Sequence, residues 1–195
     1  MKKSNFLLMV LMALLASELL SAQDKPERMR PALIVIDVQK AFMPMMDESE
    51  KDVAIYAINA YIDLFRKHGF PVIRIYHSSE EYGVTSGTEH FEFDDQIKVL
   101  PEDPKVIKTY GNGFNKTDLD KVIKENKCNT LFMCGLSSVG CVLATYLGSK
   151  DLDYTSFLLK DALMSHNAQY TNEIEDIFEA VGYDAVTVML NNAEK

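Results

Sequence analysis

Short apolar runs alternate with stretches of helical periodicity from residue 32 onward. "ALIVIDV" (32–38) is apolar but for Asp37 and predicts a buried strand. In "DVAIYAINAYIDLFRKH" (52–68), Val53, Ile55, Ala57, Ile58, Ile62 and Phe65 recur at helical spacing, and Gly69 supplies a stop. "FPVIRIYH" (70–77) reads as a second strand, followed by a polar loop to about residue 97, and "KVIK" (105–108) as a third strand. "TDLDKVIKEN" (117–126) predicts a helix with Thr117 as N-cap. "NTLFMCGL" (129–136) reads as a fourth strand, residues 139–150 as a helix and "DYTSFLLK" (153–160) as a fifth strand. "NAQYTNEIEDIFEAVG" (167–182) reads as a helix and "YDAVTVML" (183–190) as a sixth strand. Alternating strands and helices, with strands that are continuous apolar runs, predict a three-layer α/β/α domain. Its six-stranded, mainly parallel sheet has helices on both faces. Ligands in such sheets sit at the carboxyl ends of the strands, which directs attention to Asp37, His77, Lys108 and the 135–141 turn.

Residues 1–22 interrupt this regularity. Two lysines, an apolar stretch from Phe6 to Ala16 and then small residues have the layout of a secretory signal peptide, with cleavage after Ala22. The apolar stretch is about 11 residues, short of the ~20 a spanning helix needs. The expected organisation is a leader (1–22), a short tail (23–30) and one domain (31–195), exported to a periplasmic or extracellular compartment. Without the leader the chain keeps 18 basic and 28 acidic residues, a formal charge of −10. That balance disfavours nucleic acid and anionic membrane surfaces as partners. Of the three cysteines, Cys128 and Cys134 flank a single extended run, which places them about 20 Å apart and excludes a disulfide between them.

Cys141 is different. At about 100° per residue, Val139, Val142, Leu143, Tyr146 and Leu147 share one side of the helix, and Cys141 lies opposite with Ala144, Thr145 and Gly148. The apolar side is the expected core face, which sets Cys141 apart from it. Alone, Asp37 reads as a structural ion pair, Lys108 as a surface lysine and Cys141 as small buried filler. Together at one sheet edge they make a different chemistry. A helix N-terminus and a neighbouring ammonium favour thiolate. A carboxylate can take the thiol proton and return it to a leaving group, and backbone N–H groups of the turn can hold an oxyanion.

Four segments resemble the isochorismatase-like hydrolases, in their cysteine hydrolase branch. "LIVIDVQKAF" carries Asp37, Gln39 and Phe42 in the expected places. "VIKTYGNGFNKTDL" matches at Lys108, Gly111, Phe114, Thr117, Asp118 and Leu119, "MCGLSSVGCV" at Gly135, Ser138 and Cys141, and "LLKDALMS" at Asp161 and Ala162. The resemblance spans roughly residues 31–190. It implies a catalytic triad of Asp37, Lys108 and Cys141, a cis peptide at Leu136–Ser137, and an oxyanion hole from the N–H groups of Ser137 and Cys141. Gln39, Phe42, His77, Tyr110 and Phe114 are candidate pocket residues. Relatives that hydrolyse nicotinamide carry an Asp-x-His pair and further histidines after the second strand, which bind a metal. Here "YHSSEEYG" puts His77 and Ser79 at those places, and His68, His90 and His166 show no paired metal spacing, so neither metal nor cofactor is expected. Relatives that cleave the vinyl ether of isochorismate lack the cysteine. Val139 and Gly140 stand where relatives often carry polar residues.

The expected function is an exported cysteine amidohydrolase that cleaves a C–N bond of a small amide or ureido compound through a thioester. The alternatives are an ether hydrolase of the same family, a non-catalytic module that binds a small molecule, and a redox-sensing thiol protein marked by a Cys134–Cys141 disulfide. The partner is a small molecule. Oligomers are common among relatives, which leaves a homo-oligomer open.

Overall fold

The computed structural model describes residues 28–194. The leader assigned to residues 1–22, and most of the tail, lie outside the described residues. Five strands form one parallel sheet: β1 (Pro31–Ile36), β2 (Val72–His77), β3 (Lys105–Lys108), β4 (Thr130–Leu136) and β5 (Thr155–Met164). Their spatial order is β3-β2-β1-β4-β5. The order reverses at β1, with β2 on one side and β4 on the other, and ligand crevices of open α/β sheets form at such switch points.

Side chains of β1 alternate between two cores. Leu33 and Val35 join Ile58, Ile62 and Phe65 of α1 (Glu48–His68) on one face. Ala32, Ile34 and Ile36 pack on the other face with Leu119 and Ile123 of α2 (Leu119–Glu125). The second face also carries α3 (Leu143–Lys150) and Ile174 of α4 (Ala168–Ile177). The pleat thus serves two dry layers from one strand, as expected of a sheet covered on both sides. Asp47 caps α1 through Ser49 N, and left-handed Gly69 ends it.

The sheet has five strands, not six. Residues 183–190 form part of helix α5 (Tyr183–Asn191). Val186 and Leu190, one turn apart, are buried on the α1 face, whereas Val188 between them is 62% exposed. The consecutive β-branched residues Val186, Thr187 and Val188 suit a strand by propensity, but packing follows the helical period. The N-cap of α2 also shifts. Asp118 occupies it, while Thr117 Oγ1 accepts from Leu119 N at 3.2 Å and donates to Gly113 O at 2.5 Å. No described helix is long and apolar enough to cross a membrane.

Candidate active site

Four polar side chains leave the carboxyl ends of four neighbouring strands. Asp37 follows β1, His77 ends β2, Lys108 ends β3, and Cys141 lies in the turn after β4. Lys108 Nζ is their meeting point. It donates to Asp37 Oδ2 at 2.6 Å and to Cys141 Sγ at 3.1 Å, and it lies 3.0 Å from His77 Nδ1. An ammonium has three hydrogens, and here each faces an acceptor. The Lys108 side chain is 0% exposed and that of Asp37 2%, so the pair is out of solvent. Asp37 Oδ1 is buried with no hydrogen-bond partner among the described residues.

The local backbone explains this convergence. Asp37 has φ 55°, a left-handed conformation that turns the chain out of the sheet while its N–H still donates to Ile75 O at 2.9 Å. Gly135 has φ 115°, and a Cβ there would strike Ile36 O, so β4 can draw this close to β1 only with glycine. The Leu136–Ser137 peptide bond is cis. Residues Ser138–Val142 form a wide turn kinked at Gly140 that runs into α3. Two hydroxyls pin it. Ser138 Oγ pairs with Thr171 Oγ1 of α4 at 3.1 Å, and Thr145 Oγ1 donates to Cys141 O at 2.7 Å while accepting from Gly113 N at 2.9 Å. The second of these ties the cysteine turn to the loop after Lys108.

Burial sets the protonation states. It pushes the Cys141 thiol up to about 11, the Asp37 carboxylate adds to this, and Lys108 opposes both. The resting sulfur is therefore a thiol, contrary to the thiolate expected from the helix N-terminus and the ammonium. Burial also raises Asp37 above the ordinary carboxylate range, against the pull of Lys108. His77 is held below its usual range by burial first and Lys108 second.

A cavity of about 240 Å³ opens over Cys141. Phe42, Met45, Met46, Tyr82 and Leu136 wall it, and Asp37, His77, Ser137 and Cys141 supply its polar atoms. Phe42 and His77 lie in this lining, but three other candidate pocket residues do not. Gln39 is fully buried: its Nε2 donates to His77 O and Phe91 O, and its Oε1 accepts from His77 N. All three bonds position backbone, so it shapes the site from behind. Tyr110 lies apart with Lys116 Nζ, which donates to its hydroxyl at 3.0 Å, and Phe114 stacks on Tyr154. The walls Met45, Met46 and Tyr82 come from loops whose sequence has no periodicity to single them out.

The helical-wheel expectation for Cys141 is also revised. The buried side of this segment is Val142, Thr145, Gly148 and Ser149, whereas Val139 and Leu147 are 38% and 47% exposed. Small residues face inward because the loop after Lys108 presses on them. A Cβ on Gly148 would overlap the Asn112 amide, and one on Gly113 would come within 3.0 Å of Thr145 Cγ2. Cys141 is accessible because it stands at the cavity, not because it opposes the apolar residues. Cys134 is 0% exposed in the α1 core, on the other side of the sheet from the core Cys141 touches, and all three cysteines are free.

Asp37, His77 and Cys141 place one potential ligand atom each within 4.8 Å of one another. The place where a metal would sit between them already holds the Lys108 ammonium. A cation bound there would have to displace a buried positive charge, so the donor set as arranged does not fit a metal.

Residues 31–187 match the isochorismatase domain family. The Bacillus subtilis (strain 168) protein YrdC, an uncharacterized isochorismatase family protein, is 29% identical over 162 residues, spanning 82% of this chain and 83% of its own. The fold is similar to that of N-carbamoylsarcosine amidase from Thermoplasma acidophilum, with a TM-score of 0.68 and 23% identity over 79% of this chain and 95% of that one. It is similar also to the pyrazinamidase of Pyrococcus horikoshii in complex with zinc, with a TM-score of 0.69 and 23% identity over 79% and 99%. With the family matched over most of its length, the chain belongs to the isochorismatase family of hydrolases.

Proposed function

We propose that this protein is an exported cysteine amidohydrolase acting on a small amide or ureido compound. The observation that carries this reading is the single ammonium, Lys108 Nζ, shared between the Asp37 carboxylate and the Cys141 sulfur, with Asp37 Oδ1 left unpartnered beside them. An unpartnered buried carboxylate oxygen is costly unless it has a proton to receive. The Cys141 thiol supplies one.

In this mechanism Asp37 takes the thiol proton as Cys141 Sγ attacks the substrate carbonyl carbon. Carbonyl electrons pass to the oxygen, which rests on the Ser137 and Cys141 N–H groups. Lys108 compensates the negative charge as it moves from carboxylate to sulfur to oxyanion. The oxyanion collapses, the C–N bond breaks, and Asp37 returns its proton to the departing amine. Water then attacks the thioester. Asp37 accepts a proton from that water, the C–S bond breaks, and the proton restores the thiol. Two structural neighbours carry amide-cleaving names, N-carbamoylsarcosine amidase and pyrazinamidase, which supports amide chemistry for the fold. The redox alternative loses support, since Cys134 lies in the core on the far side of the sheet from Cys141.

Ammonia release from a panel of small amides and ureides tests the reading, with wild type compared against Cys141→Ala. Turnover in wild type and none in a folded variant is expected. Equal turnover in both would remove the thioester route.

A further inference from the structure

The lining of the cavity is mostly apolar, and His77 is among the few residues that bring polar atoms to it. Lys108 needs an acceptor at His77 Nδ1, because an ammonium only donates. The imidazole is therefore neutral, and its proton sits on Nε2. Burial and the Lys108 charge, which hold His77 below its ordinary range, act in the same direction. The residue itself is fixed. Gln39 bonds both the N–H and the C=O of His77, and the Phe42 ring meets the imidazole edge-on with centroids 5.9 Å apart. No partner for Nε2 is found among the described residues, and the side chain lines the cavity.

Among the lining residues no cation is free to meet an anionic substrate. The ammonium beside the cavity, Lys108, already has all three donors engaged. A carboxylate would be desolvated beside Phe42, Met45, Met46 and Leu136, and would approach the Asp37 carboxylate.

We propose that His77 Nε2–H is the donor that orients the substrate, and that in this apolar setting it selects an uncharged compound with a neutral acceptor close to the scissile carbonyl. One ring nitrogen of His77 lies within 4.8 Å of Cys141 Sγ, so the imidazole stands beside the nucleophile. This specificity rests on the amidohydrolase reading for its chemistry, but its binding component does not need turnover.

Three amides of similar length separate the possibilities. Malonamide carries a neutral acceptor beyond the scissile carbonyl, malonamate an anionic one, and butyramide none. Each is assayed for protection of Cys141 against iodoacetamide and for ammonia release. The expected result is protection by malonamide at concentrations at least tenfold below those of the other two. Two variants then separate the ring nitrogens, since an Asn amide approximates Nδ1 and a Gln amide Nε2. His77→Gln is expected to keep the malonamide advantage and His77→Asn to lose it, with protection in each variant measured against that variant's own unprotected alkylation rate. Equal protection by malonamate, or an advantage kept by His77→Asn and lost by His77→Gln, would overturn the proposal. The second outcome would leave His77 only the task of holding Lys108. Selective protection without ammonia release would sink the amidohydrolase reading and leave the donor role standing. Ammonia release that needs Cys141, without selective protection, would do the reverse.

Discussion

At the scale of single residues, Cys141 is governed by a balance of three neighbours. Burial and Asp37 favour the thiol and Lys108 favours the thiolate, and the first two prevail, with a resting value near 11. Alkylation of Cys141 should therefore be slow at pH 7 and climb about tenfold per pH unit toward that value. Asp37→Asn removes the nearby negative charge, so the thiol pKa should fall and alkylation at pH 8 should quicken, while amide turnover is lost. A variant with more thiolate and less catalysis separates proton acceptance by Asp37 from mere supply of thiolate. The same change leaves the Lys108 ammonium buried without a counter-charge, a loss of about 3–5 kcal/mol, so circular dichroism must accompany the assay. An alkylation profile unchanged by Asp37→Asn would show that the carboxylate does not act on the sulfur. Asp37 was legible because a charge ends an apolar strand there, whereas Lys108 and Cys141, which alone read as a surface lysine and buried filler, were picked out by falling at the same sheet edge as Asp37 and by the family resemblance. The thiol state was not legible, since the depth of burial depends on loops that no local pattern places.

At the scale of elements, the site depends on how β4 ends. Gly135 lets the strand lie against Ile36 and then leave the sheet toward Ser137, and the register with β5 shifts between Met133 and Gly135. Gly135→Ala should cost about 2–3 kcal/mol through an unfavourable φ and a backbone clash. That is a fall of roughly 4–12 °C in Tm for a chain of this size, and turnover should drop further because Cys141 is displaced. Gly182→Ala is the control: it has open space around it and φ −77°, and should change Tm by no more than a degree or two. Equal Tm for the two variants would refute the role given to Gly135. The elements that sequence placed well are those with a single strong period, such as β1, β3 and α1. Helix α5 was misread because its β-branched residues satisfy two periods at once, and only contact with α1 decides between them.

At the scale of the whole molecule, the sheet edge holds a buried carboxyl beyond the site itself. Glu175 of α4 is buried against β5 and α1, facing Asp161 and Glu50, with Lys160 the nearby opposing charge. Its Oε1 accepts from Asp161 N at 2.8 Å. Burial, with some help from Asp161 and Glu50, pushes its pKa from 4.5 up to about 7. The folded protein therefore holds this proton more tightly than the unfolded chain does. Below about pH 4.5 both states are protonated and Glu175 costs nothing. Between pH 4.5 and about 7 the unfolded chain releases its proton first, so this residue lowers stability as pH rises, and above 7 the penalty is constant. A displacement from 4.5 to about 7 corresponds to at most about 3 kcal/mol. Glu175→Gln keeps an oxygen for Asp161 N and removes the titration. Urea unfolding of the two proteins should give similar stabilities at pH 4, a gap that widens through pH 7 in favour of the variant, and a steady gap at pH 8. A gap of the same size at every pH would mean that Glu175 titrates alike in the folded and unfolded chain, and the burial penalty assigned to this face of α4 would have to be withdrawn.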